Sequence, residues 1–138
     1  RGWKYEPILE RVRRSPLRER MHYLEYVSDE ELRALYSGAE ALVFPSLYEG
    51  FGFPPLEAMA CGTPVVASTA GSLPEVLGDA ARLIDHYDPD GWARTVDELL
   101  VSDGEAQRLA EAGRRQAAGY RWQETARRTW KAYREALA

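Results

Sequence analysis

Apolar residues recur along this chain first at helical spacing and then in short continuous runs, and the two patterns alternate. Tyr5, Ile8, Leu9 and Val12 stand at i, i+3, i+4 and i+7, which predicts an amphipathic helix over about residues 5–14, with Pro7 tolerated in its first turn and Ser15-Pro16 closing it. Met21 to Val27 reads as a short strand. Ser28-Asp29-Glu30-Glu31 has the form of a capping box and opens a helix that carries Leu32, Leu35 and Tyr36 to Gly38. Ala41 to Phe44 is a second strand, and a short helix from about residue 55 to 61 ends at Gly62. Pro64 to Ser68 supplies a β-branched third strand, Ser72-Leu73-Pro74-Glu75 starts a helical turn, and Ala81 to Ile84 is a fourth strand. Asp88-Pro89 begins a helix bearing Trp92, Val96, Leu99 and Leu100 on one face, and Ser102 with Glu105 caps the next. Trp122, Ala126, Trp130, Tyr133 and Leu137 form a stripe along the last helix, of the kind that usually packs.

Strands alternating with helices predict an α/β fold: a Rossmann-like parallel sheet flanked by helices, with right-handed crossovers and with ligands gathered beyond the carboxyl ends of strands. No internal repeat, low-complexity tract or long linker interrupts it, so residues 1–138 read as one domain. Doubly wound domains normally begin with a strand, whereas here Arg1-Gly2-Trp3 leads straight into a helix. The chain therefore reads as a piece lacking its first strands.

Composition bounds the class. With 138 residues, 45% of them hydrophobic and 29% charged, the chain can bury an ordinary globular core. No apolar run approaches the roughly 18 residues that cross a bilayer, and Arg1-Gly2-Trp3-Lys4 lacks a signal-peptide core, which makes a reducing, cytoplasmic setting the expectation. Cys61 is the only cysteine; among Ala58, Met59 and Ala60 it reads as a packing residue. The net charge of −4 hides an uneven distribution, since residues 28–111 hold 16 acidic and 4 basic side chains while both ends lean basic. An acidic centre speaks against nucleic acid as a partner. Arg11, Arg13, Arg14, Arg18 and Arg20, and later Arg127, Arg128, Lys131 and Arg134, read as solvated helix faces, with peripheral contact to anionic lipid as the sharper alternative.

The chemistry concentrates in residues 49–57, EGFGFPPLE, where two glutamates stand eight apart around two glycines and two prolines, beyond the second strand and Ser46-Leu47-Tyr48. Glycines permit positive φ or close approach of backbone to a ligand, and Pro54-Pro55 favour a helix starting near Pro55. Glu57 then falls in that helix's first turn, where unsatisfied N–H groups and the helix dipole favour anions. A diphosphate would dock on the backbone N–H groups of residues 52–56.

Residues 27–76, VSDEELRALYSGAEALVFPSLYEGFGFPPLEAMACGTPVVASTAGSLPEV, strongly resemble the carboxyl-terminal domain of retaining nucleotide-sugar glycosyltransferases of family 4, and the likeness runs along nearly the whole chain. Its most specific part is the E-x7-E signature, met by Glu49 and Glu57 around Gly50-Phe51-Gly52, followed by the Ala-x-x-x-Gly-x-Pro-Val-Val of residues 58–66. The resemblance implies a GT-B fold in which two Rossmann-like domains face each other and this one holds the donor. It implies Glu49 as the catalytic residue at the donor sugar's hydroxyls and Glu57 on the ribose hydroxyls. Gly50, Phe51, Gly52, Phe53 and Leu56 would lie along the donor, with backbone amides around Gly52 and Phe53 on sugar or phosphate oxygens, and Val27 and Ser28 near the base. No metal is expected. The donor would be a GDP-sugar, with GDP-mannose favoured, or a UDP-sugar; the acceptor, a sugar, lipid or glycan, would bind through the other domain. The segment that supplies the family's phosphate-binding Arg and Lys precedes this chain, and the following strand would run into Arg1-Gly2-Trp3, so weak donor binding and no turnover are expected of the chain alone.

The residues support this chemistry independently, because breaking a sugar–diphosphate bond builds positive charge on the sugar and negative charge on the leaving group, which a carboxylate and a helix amino terminus answer. Other readings stand beside it. Two carboxylates also serve glycosidases, but a carboxylate at a helix amino terminus is held ionised and donates a proton poorly. The glutamates and glycines could serve a turn alone. His22 and His86 have no third histidine for a metal set, and Asp85, Asp88 and Asp90 lack the glycine and closing glutamate of a calcium loop, so Asp88 reads as a helix cap. Neither GxGxxG nor GxxxxGK[ST] occurs. A non-catalytic nucleotide-binding or regulatory module is the alternative of a different class.

Overall fold

The computed structural model describes residues 5–137 and falls into two compact units, Arg1–Leu32 and Arg33–Ala138. The strand expected to run into Arg1-Gly2-Trp3 lies outside the described residues. In the first unit, helix α1 spans Glu6–Arg14 with Pro7 in its first turn, and the N–H of Ser15 closes it on the carbonyl of Val12. A single 3-10 turn, Arg18–Arg20, follows. Residues 21–27 are not a strand, contrary to the expectation. A strand exists only through ladder bonds to a neighbour, and among the described residues this segment has none, leaving Tyr23, Leu24 and Tyr26 exposed. The unit ends in the first turn of α2 (Asp29–Gly38), where the expected capping box forms: the N–H and Oγ of Ser28 each donate to Glu31 Oε2 at 2.8 Å.

The second unit is built on β1 (Leu42–Phe44), β2 (Val65–Ser68) and β3 (Arg82–Ile84), a parallel sheet in the order β1-β2-β3 with Val43 opposite Val66 and Ala67 opposite Leu83. Three of the four expected strands are thus present. Helix α3 (Phe53–Cys61) joins β1 to β2, and α4 (Leu73–Leu77) with a 3-10 turn joins β2 to β3. Then come α5 (Pro89–Val101), capped by Asp88, α6 (Asp103–Ala118), capped by Ser102, and α7 (Trp122–Ala136).

Every residue of β2 is buried, as a central parallel strand requires, and its alternation feeds two clusters. Val65 and Ala67 join Leu56, Met59, Leu73 and Leu77 from α3 and α4, whereas Val66 joins Leu99 and Leu109 from α5 and α6. Cys61 is only half-buried, so its expected packing is partial. The aromatic stripe of α7 stays largely uncovered among the described residues: Trp122 is 75%, Trp130 65% and Tyr133 62% exposed, and no described residue of α7 is buried. No helix of the described residues is long and apolar enough to cross a membrane.

Candidate functional site

Parallel strands end on the same edge, so residues 45–52 after β1 and 69–72 after β2 become neighbours. Gly52 takes φ 106°, and a Cβ there would also meet Leu73 Cδ2 at 2.7 Å, so this position requires glycine twice over. Gly50 has open space around it. Helix α3 starts at Phe53, two residues before the expected start, because proline needs no N–H in a first turn and both Pro54 and Pro55 fit there. Glu57 consequently lies past the first turn, which holds no acidic residue. Fewer amides are offered than the sequence suggested. Pro54 and Pro55 have none and the N–H of Leu56 donates to the carbonyl of Gly52, so within 52–56 the N–H groups of Gly52 and Phe53 are those with no acceptor among the described residues. Leu56, 7% exposed, packs into the core and anchors α3 beneath the loop.

The two glutamates are held differently. Glu49 is half-buried; its Oε1 lies 3.0 Å from Ser46 Oγ, and its carbonyl accepts from both the N–H and the Oγ of Ser72 at 3.2 Å. Ser72 therefore spends its hydroxyl on the glutamate loop and makes no side-chain cap on α4, although the helix forms where expected. Gly71, with φ 57°, passes so close to Glu49 that an added Cβ would collide with its carbonyl oxygen. Ser68, the last residue of β2, donates to the carbonyl of Ser46 at 2.6 Å. Glu57 is exposed and meets Tyr36, whose hydroxyl donates to Oε2 at 3.5 Å. Burial, and then the Glu57 carboxylate beside it, raise the Tyr36 phenol above its ordinary value. Tyr36 is fixed in turn by Thr63, which donates to its carbonyl at 2.6 Å.

Phe51 and Phe53 project from the loop into an aromatic cluster. Their ring centroids are 4.9 Å apart, Tyr120 stands edge-on to Phe51 at 5.6 Å, and Trp122 stacks on Phe53 at 6.4 Å. These rings and Glu57 line an open pocket of ≈ 490 Å³. Tyr120 Oη and Gln116 Nε2 both donate to the carbonyl of Val76, tying the α6–α7 corner to α4.

Glu49, Gly50, Phe51, Gly52, Phe53, Leu56 and Glu57 thus form one continuous segment at the carboxyl edge of the sheet. Val27 and Ser28 belong to the first unit, where Ser28 caps α2. Sequence reasoning missed Ser46, Ser68, Gly71, Ser72 and Tyr36. Asp88 caps α5 through the N–H of Gly91, as its reading in place of a calcium loop expects. Among the described residues no three of His, Cys, Asp and Glu gather where they could hold a metal.

A parallel α/β sheet flanked by helices is the arrangement expected of a Rossmann-like domain of a GT-B enzyme. The chain belongs to the glycosyl transferases group 1, whose family pattern it matches over residues 4–116. It is 40% identical over 134 residues to O-antigen chain mannosyltransferase B of Escherichia coli, covering 97% of this chain and 35% of that one. It is 47% identical over 122 residues to MMP alpha-(1->4)-mannosyltransferase of Mycolicibacterium hassiacum, covering 86% and 30%, and 39% identical over 120 residues to D-inositol 3-phosphate glycosyltransferase of Salinispora arenicola, covering 86% and 27%. The chain thus spans about a third of the length of these relatives. Its fold superposes on sucrose-phosphate synthase from Thermosynechococcus elongatus with a TM-score of 0.88 at 30% identity, over 99% of this chain and 35% of that one.

Proposed function

We propose that this chain is the donor-binding part of a retaining glycosyltransferase of family 4, within a two-domain GT-B enzyme that transfers a hexose from a nucleotide diphosphate sugar to an acceptor. The observation that carries the reading is the single loop-and-helix segment that presents Glu49 and Glu57 on either side of the N–H groups of Gly52 and Phe53, which have no acceptor among the described residues. In transfer, the bond between the anomeric carbon and the diphosphate oxygen breaks, the leaving group keeps the electron pair, and an acceptor hydroxyl oxygen bonds to the anomeric carbon while its proton passes to the departing diphosphate. Glu49 is the catalytic residue, accepting hydroxyls of the donor sugar and favouring the positive charge that develops there. Glu57 accepts the ribose hydroxyls, and the N–H groups of Gly52 and Phe53 receive sugar or phosphate oxygens. Gly50, Phe51 and Leu56 shape this segment. No metal takes part in this reading.

Mannose is the sugar favoured, since two relatives are named mannosyltransferases, and GDP-mannose is the first donor to test, with UDP-sugars next. The acceptor sugar, lipid or glycan is bound through a second domain. The setting is the cytoplasm, with the basic segments available to an anionic membrane surface. The test is release of GDP from GDP-mannose and of UDP from UDP-glucose by the full-length protein carrying this chain, beside its Glu49→Ala variant. Turnover of one donor, lost in Glu49→Ala while nucleoside diphosphate affinity is kept, is the expected result. Nucleotide binding with no turnover of any donor would make this a regulatory module instead.

A further inference from the structure

The structure assigns Ser46 as a positioning residue for Glu49, the middle of a serine relay that ties the carboxylate to the end of the central strand. The assignment rests on the reading of Glu49 as the group that meets the donor sugar. The relay begins at Ser68, fully buried at the carboxyl end of β2, whose hydroxyl donates to the Ser46 carbonyl at 2.6 Å. The Ser46 hydroxyl then has two acceptors within reach, the carbonyl of Tyr48 at 3.1 Å and Oε1 of Glu49 at 3.0 Å. One hydroxyl carries one proton, and an ionised carboxylate is the stronger acceptor, so the proton goes to Glu49. The Glu49 backbone is pinned separately, through its carbonyl, by Ser72. Oε2 has no protein donor among the described residues and is the oxygen left for a sugar hydroxyl. The relay therefore fixes one carboxylate oxygen and leaves the other free.

Loss of the Ser46 hydroxyl would release the carboxylate while the loop backbone, still held by Ser72 and by Ser68, keeps its course. The expected result is a split in kinetics that a general structural role would not give. In the full-length protein, with GDP-mannose and UDP-glucose as probes, Ser46→Ala lowers kcat about 10- to 100-fold, the range of a hydrogen bond to a charged group. GDP or UDP affinity by calorimetry and the melting temperature stay close to those of the parent. Ser46→Thr, which retains the hydroxyl, restores turnover. Full turnover in Ser46→Ala beside a dead Glu49→Ala would overturn the relay and leave the donor-site reading standing, as would equal loss of turnover and nucleotide affinity in Ser46→Ala. Full turnover in Glu49→Ala, or no turnover of either donor by the parent, would overturn that reading and the relay with it.

Discussion

Glu49 and Glu57 sit at the two ends of one segment, but Glu49 is gripped by side chain and backbone, while the exposed side chain of Glu57 has a single long hydrogen bond, to Tyr36, among the described residues. Different losses follow from truncating them. Glu57→Ala should weaken nucleoside diphosphate binding by roughly 1 to 3 kcal/mol, the worth of charge-assisted bonds to a ribose, with little change in melting temperature. Gly71→Ala should act on the fold of the loop: it combines a left-handed φ of 57° with a collision against the Glu49 carbonyl, so a loss of about 1 to 3 kcal/mol in urea unfolding is expected. Both glutamates were legible in the sequence because their spacing around Gly50 and Gly52 is local. Ser68 and Ser72 were not, because their bonds form only once two strands have paired and brought residues 20 or more positions apart to one edge; Ser46 lies only three residues from Glu49, but a serine at that spacing in a loop does not by itself state where its hydroxyl turns.

At the level of elements, helices with local signals came out where the sequence put them. The Ser28 box on α2 forms in full, and hydrogen bonds from the backbone and side chain of Ser28 hold the Glu31 carboxyl below its ordinary 4.5. A lowered value in the folded chain means that this contribution is complete above the ordinary value and is lost as pH falls through the lowered one. The Ser28 amide should therefore lose protection from hydrogen exchange on acidification, and Glu31→Gln should remove that pH dependence; an unchanged profile in the variant would assign it to another carboxylate. The start of α3 was misjudged by two residues because Pro54 and Pro55 fit its first turn as well as its boundary. The strand at residues 21–27 failed for a different reason: its apolar run is real, but pairing is a property of neighbours and not of the run.

Across the Arg33–Ala138 unit, stability centres on α3, clasped between β2 and α6. Met59 is fully buried, and the Cβ of an alanine at Gly113 would meet its Cγ at 3.0 Å, so α6 approaches α3 closely here because position 113 has no side chain. Met59→Ala should cost about 2 to 5 kcal/mol in urea unfolding, and nucleotide affinity at a fully folded temperature should change little. The α/β alternation was visible in the order of elements; for α7 the sequence left open whether its stripe packs within the chain or stays exposed, because an amphipathic stripe states that a face is apolar without naming what covers it.

Donor binding by residues 49–57 is to be measured by titrating GDP, UDP and ADP into the full-length protein and into its Glu57→Ala variant by calorimetry. Selective binding of GDP or UDP that weakens about 5- to 150-fold in the variant, equivalent to the 1 to 3 kcal/mol above, is the predicted result. Binding of the same nucleotide with equal affinity by both proteins would contradict it, and so would no binding of any nucleotide.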